Sequence, residues 1–130
     1  MQSKPEHLYE YAVVRFVPRV EREEFINIGL IMMCKRRRWI RVSFADDFSR
    51  LRLFAPSPIS EDLLREHMRA FERMALGGAS CGEMSSWPVE ERFRWLSAVK
   101  SACIQTSRPH PGLTGDLDAT FERLFAELVL

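Results

Sequence analysis

An α+β fold is predicted by three observations along this chain of 130 residues. Three segments with alternating apolar residues follow one another before position 45, the joins between them are short and charged, and helical periodicity begins only afterwards. Strands grouped ahead of helices favour a mostly antiparallel sheet of about four strands, a β-meander first, with about three helices packed on one face.

The first strand spans residues 8–17, rich in Tyr, Val and Phe, and Pro18, which has no N–H to give a ladder, ends it. Residues 19–24 are a charged connection. Residues 25–34 form the second strand, in which Ile26, Ile28, Leu30, Met32 and Cys34 fall on one face by period two. A basic turn at 35–38 leads into the third strand at 39–44, where Ile40, Val42 and Phe44 alternate with Arg41 and Ser43. Residues 45–58 read as irregular, with Leu51, Leu53 and Phe54 tucked beneath the sheet.

Ser60 is a good N-cap, Glu61 and Asp62 suit the positive end of a helix dipole, and Ile59 can staple to Leu64. Leu64, Met68, Phe71 and Ala75 make the buried stripe, and Gly77 with Gly78 ends that helix. A loop of small residues at 79–86 follows. Pro88 opens a second helix over 88–99, with Val89, Phe93 and Leu96 on one side and Arg92, Trp95 and Val99 on the adjoining one. Residues 102–107 read as a short fourth strand. Residues 108–115, with two prolines and two glycines, read as an ordered loop. The last helix, 116–128, turns Leu117, Phe121, Leu124, Phe125 and Leu128 inward.

The composition, 46% hydrophobic and 28% charged, is that of a globular chain and argues against disorder. The length suits a single domain over 1–130, with 1–7 as a disordered tail. A net charge of +1 excludes a global basic field of the kind that binds nucleic acid. The charge is divided, with 11 Lys/Arg against 7 Asp/Glu over residues 1–55 and 8 against 11 over 56–130. Three cysteines, Cys34, Cys81 and Cys103, make no disulfide framework and point to a cytoplasmic, reducing compartment. No apolar run approaches the roughly 20 residues of a membrane span. No metal or cofactor is expected: zinc spacing, a phosphate-cradling glycine loop and a nucleophile elbow are all missing from the sequence.

Parity gives the candidate site. If Ala12/Val14/Phe16, Ile26/Ile28/Leu30/Met32, Ile40/Val42/Phe44 and Ala102/Ile104/Thr106 face the helices, the reverse of the sheet carries Tyr9, Tyr11, Arg15, Asn27, Gly29, Arg41, Ser43, Gln105 and Ser107. Such a face reads as solvated surface, dimer surface or ligand site. Lys35, Arg36, Arg37 and Arg38 beside Trp39, with Arg41 beyond, suit phosphate contact and base stacking, or else a hairpin tip kept soluble by charge. Glu23 and Glu24 point apart on an extended chain, so the 19–24 segment reads as surface ion pairs. His110, between Pro109 and Pro111 ahead of a helix N-terminus, is the best catalytic candidate, as general base or phosphate contact, against the alternative of a structural histidine. Cys34 and Cys103 read as buried, and Cys81 as the more reactive thiol.

The run from Tyr9 to Arg15, followed by Pro18, Arg19, Val20, Glu21, Arg22, Glu23, Glu24, Phe25, Ile26, Asn27, Ile28 and Gly29, resembles the start of a bacterial family of unknown function, numbered 3037. Arg92-Phe93-Arg94-Trp95-Leu96, then Ile104-Gln105-Thr106-Ser107 and His110-Pro111-Gly112-Leu113, resemble its C-terminal signature. The family reads threonine where Pro111 stands, so no hydroxyl role carries over there. The resemblance implies no activity. It implies a protein partner similar to the HipA kinases, by gene neighbourhood, and signature residues at Arg15, Arg19, Glu23, Asn27, Gly29, Arg92, Trp95, Gln105, Ser107, His110 and Gly112.

Three functions follow as expectations. The first is a non-enzymatic binding or regulatory module acting through protein contact, with a HipA-like kinase or as a homo-oligomer. The second is a small enzyme or ligand binder using His110, Arg15, Arg92 and Gln105 on a phosphate or nucleotide. The third is nucleic-acid binding through residues 35–41.

Overall fold

Tyr, Val and Phe crowd the segment around which the sheet is assembled. In the computed structural model, which describes residues 6–18, 20–54, 60–77, 86–98 and 104–130, this segment is β1 (His7–Phe16). It pairs antiparallel with β2 (Ile26–Cys34), and β2 with β3 (Trp39–Phe44), giving the expected meander. The other edge of β1 is shared by two short strands. β4 (Ile104–Thr106) pairs with Val14–Phe16, and β5 (His110–Thr114) with His7–Tyr11. The sheet is therefore ordered β3-β2-β1-β4, with β5 beside the first half of β1.

β5 lies where the sequence predicts a loop. Pro111 and Gly112 are poor strand formers, but proline is tolerated on an edge strand, and pairing with β1 overrides local propensity. β1 begins at His7, inside the expected tail, whose residues 1–5 lie outside the described residues. Arg19, Ile59, Gly78, Cys81, Val99, Ala102, Cys103 and the stretch 79–85 also lie outside them.

α2 (Glu61–Leu76) starts as expected. The Ser60 hydroxyl accepts the N–H of Leu63 at 3.1 Å, and Gly77 ends the helix at φ 76°, a left-handed conformation that glycine adopts without a Cβ penalty. α3 (Val89–Ala98) buries Val89, Phe93 and Leu96. α4 (Leu117–Leu128) is capped by Asp116, whose carboxylate accepts the N–H of Ala119 at 3.0 Å. A further short helix, α1 (Ser49–Phe54), replaces the irregular connection. Asp47 accepts both the N–H and the hydroxyl of Ser49 and so fixes its first turn. Leu51 is buried there, but Leu53 is 86% exposed rather than tucked under the sheet.

The helices do not share one face, which corrects the predicted layering. α2 and α3 cover one side, in a core with Ala12, Val14, Phe16, Ile31, Met33 and Val42. α4 covers the other, where Phe121, Leu124 and Val129 meet Val13, Leu30, Met32 and Cys34. The meander strands carry apolar residues on both sides, so water cannot be left on either: a large side chain such as Phe121, left exposed, would forfeit roughly 1.5–3 kcal/mol. The parity of β2 is also broken once. Val14 opposes Gly29 but Arg15 opposes Asn27, so Ile28 is an extra residue, a β-bulge. Ile28 joins the α2/α3 core, whereas Leu30 and Met32 belong to the α4 core.

Candidate functional site

Three of the candidate residues stand side by side across the sheet. Arg15 on β1 is the register partner of Asn27 on β2 and of Gln105 on β4. The bulge at Ile28 makes this row possible, because it restores Asn27 to the position opposite Arg15. The row is not an open polar surface. The amide nitrogen of Asn27 donates to the carbonyl of Leu128 at 3.0 Å, tying β2 to the end of α4. The Arg15 guanidinium lies 4.0 Å from the centroid of the Phe25 ring, a cation–π contact. Arg15 Nε and Asn27 Oδ1 are buried without a hydrogen-bond partner among the described residues.

His110 is exposed, with its ring 5.2 Å from that of Tyr11, its register partner. Tyr11 and Arg15 are four positions apart on β1, roughly 13 Å along a strand, too far for His110 and Arg15 to act on one small group. Ser107 is buried and structural in its bonding: its hydroxyl accepts the N–H of Val13 at 2.9 Å and donates to the carbonyl of Arg108. Glu23 is exposed, in a left-handed conformation at φ 57° that closes the short turn at Val20–Arg22. Gly112 lies under the ring of Tyr9, and Gly29 against Phe44 and the carbonyl of Ser43, so both signature glycines clear space for an aromatic ring on a neighbouring strand.

Arg41 is committed to the fold. Its guanidinium is ion-paired to Asp118 and Glu122 and lies 4.4 Å from the centroid of Phe121, clamping β3 to α4. Lys35, Arg36, Arg37 and Arg38 are exposed at the tip between β2 and β3. Away from these residues, Arg52 holds Glu61 through two hydrogen bonds, which lowers the Glu61 carboxyl below its ordinary value and raises the guanidinium.

Two concave sites gather the remaining candidates. The first is an apolar groove of about 140 Å³ between α2, α3 and β4, lined by His67, Phe71, Met74, Trp95, Leu96 and Gln105, among others. Trp95 stands at it 38% exposed. The second, of about 570 Å³, lies between the β2–β3 turn and the start of α3, lined by Lys35, Arg38, Trp87, Glu90 and Arg92. The four residues of the expected ligand site are thus divided: Gln105 lines the first, Arg92 the second, and Arg15 and His110 neither. Sequence reasoning missed the groove residues His67 and Met74, whose spacing of seven signals one helix face but not what the face meets. Among the described residues no cluster of three His, Cys, Asp or Glu side chains is placed to hold a metal ion.

Among the described residues, a five-stranded antiparallel sheet enclosed by helices on both faces, with an apolar groove and a cation-lined cavity among its concave sites, defines a small α+β domain. The chain belongs to the family described as Protein of unknown function (DUF3037), whose model matches residues 11–129. No curated protein and no solved structure matches it.

Proposed function

We propose that this chain is a binding module that acts through protein contact at the groove beside Trp95. The observation that carries this reading is Trp95 itself, an indole 38% exposed at a concave apolar wall formed by Phe71, Met74, Leu96 and Ile104. Tryptophans in such positions dominate interface energies, because a partner side chain filling the groove completes the desolvation of the ring. Met74 adapts to the shape of what enters, and His67 and Thr106 supply a polar rim. The occupant is an apolar anchor residue on a partner chain. A HipA-like kinase, implied by the family resemblance, is the partner to test first.

Titration calorimetry of the purified pair, with wild type and Trp95→Ala, tests this. A complex that loses at least about tenfold in affinity on the substitution, in a variant that melts like wild type, supports the reading. Equal affinity for the two proteins, or no complex with either at about 100 μM, overturns it for that partner. Sedimentation of the chain alone covers the remaining case: a dimer that Trp95→Ala dissociates makes the partner a second copy.

A further inference from the structure

The cavity at the start of α3 shares no lining residue with the Trp95 groove, and its chemistry is different. We infer that it binds the phosphate group of a nucleotide-sized small molecule. Among the described residues three cations line it, Lys35 and Arg38 from the β2–β3 turn and Arg92 from α3, against one carboxylate, Glu90. The turn and the helix are about fifty residues apart in sequence, so the fold, not a local basic run, brings these charges together. The site also receives the N-terminal end of α3, beginning at Val89, whose dipole favours an anion.

Two details separate this cavity from a chance gathering of surface charge. Arg92 is part-buried and held: one terminal nitrogen donates to the carbonyl of Ala75 at 3.0 Å, near the end of α2, while its buried Nε has no hydrogen-bond partner among the described residues. Held at the cavity wall by the Ala75 carbonyl, the Arg92 charge is positioned in advance for an anion. Arg38 sits at φ 50°, closing the turn in which its N–H donates to the carbonyl of Lys35 at 3.1 Å. Glycine or asparagine fits such a position best, and an arginine there costs roughly 1 kcal/mol. Where turn geometry favours glycine or asparagine, this chain places a cation at the cavity.

Trp87 lines the same cavity and offers a face on which a base can stack. A volume of about 570 Å³ lies within the range of small-molecule sites. A nucleic-acid strand is disfavoured by the chain's net charge of +1 and by the engagement of Arg41 with Asp118 and Glu122.

The test is titration of the whole chain with adenosine 5′-monophosphate, ribose 5-phosphate, inorganic phosphate, adenosine and a single-stranded oligonucleotide. Expected are measurable binding of the monophosphate at or below about 1 mM, weaker binding of ribose 5-phosphate and phosphate, and none of adenosine. Arg92→Gln should weaken the monophosphate at least about tenfold. Because Arg92 also holds Ala75, Arg38→Gly keeps the idea falsifiable: it should weaken binding several-fold while raising the melting temperature. Binding of adenosine as well as its monophosphate, wild-type affinity in both variants, or no binding of any phosphate at about 5 mM overturns the inference. So does oligonucleotide binding that is far tighter and steeply salt-dependent, which would make the cations a nucleic-acid interface.

Discussion

The ring of Tyr9 lies across Gly112, its register partner on β5, so closely that a Cβ at position 112 would collide with the phenol. Tyr9 is itself buried against the α4 side of the sheet, so the ring cannot simply swing away. Gly112→Ala should lower stability by about 1–3 kcal/mol in urea unfolding. The cost should shrink when Tyr9 is also replaced by Ala, because the two residues share one volume. Equal costs in both backgrounds would contradict this packing.

Gly29→Ala should be at least as costly. The added Cβ would lie 2.6 Å from the Phe44 ring and 2.8 Å from the backbone oxygen of Ser43, which cannot rotate out of the way. A loss of about 2 kcal/mol or more, not relieved by Phe44→Ala alone, is the expected result.

Ser107→Ala removes the acceptor of the Val13 N–H, a buried bond. The orphaned donor should cost about 1–3 kcal/mol, and the Val13 amide should exchange faster with solvent. A neutral substitution would mean that another acceptor reaches Val13.

Arg41→Gln unclamps β3 from α4 by removing two ion pairs and the contact with Phe121. Asp118 and Glu122 are both well exposed, so the expected loss is only about 1 kcal/mol, and part of it should vanish in about 1 M salt. The nucleotide affinity should be untouched.

The acid limb of stability should carry the marks of Asp47 and Glu61. Hydrogen bonds from Ser49 hold the Asp47 carboxyl below its ordinary 3.8, and the bond from Arg52 holds Glu61 below its ordinary 4.5. Both groups bind protons more weakly folded than unfolded. Their contribution is therefore complete above the unfolded values and is lost as the pH falls through the lower folded ones. Asp47→Asn with Glu61→Gln should flatten the fall of the urea midpoint below about pH 4.5, slightly, because both groups are exposed.

The meander and its order were legible because alternation, a terminating proline and a basic turn are local signals. α2 was legible from its cap, Ser60, and α4 from the apolar stripe of Leu117, Phe121, Leu124, Phe125 and Leu128. Three things were not. The bulge at Ile28 follows from pairing with β1, and nothing in a run of six apolar residues in seven marks where the pleat slips. β5 is hidden because Pro111 and Gly112 signal a loop, and only β1 makes them a strand. The second core face was masked by Arg15, Asn27 and Arg41, polar residues that read as solvent-facing but bond or stack to Phe25, Leu128 and α4. Arg92 was legible as a candidate, but its meeting with Lys35 and Arg38 needs the tertiary fold.

β1 holds a consequence for how the molecule comes into being. Its free edge waits for partners that emerge last, Val13 bonding to Ser107 across 94 positions, and the α4 face of the sheet closes later still, Asn27 of β2 bonding to Leu128 across 101. A growing chain released only as far as the first hundred residues would possess a hairpin meander with one raw edge and one greasy face uncovered. Completion must wait for residues 104–130, and a premature stop anywhere in that stretch should yield a chaperone client or an aggregate, not a smaller version of the domain.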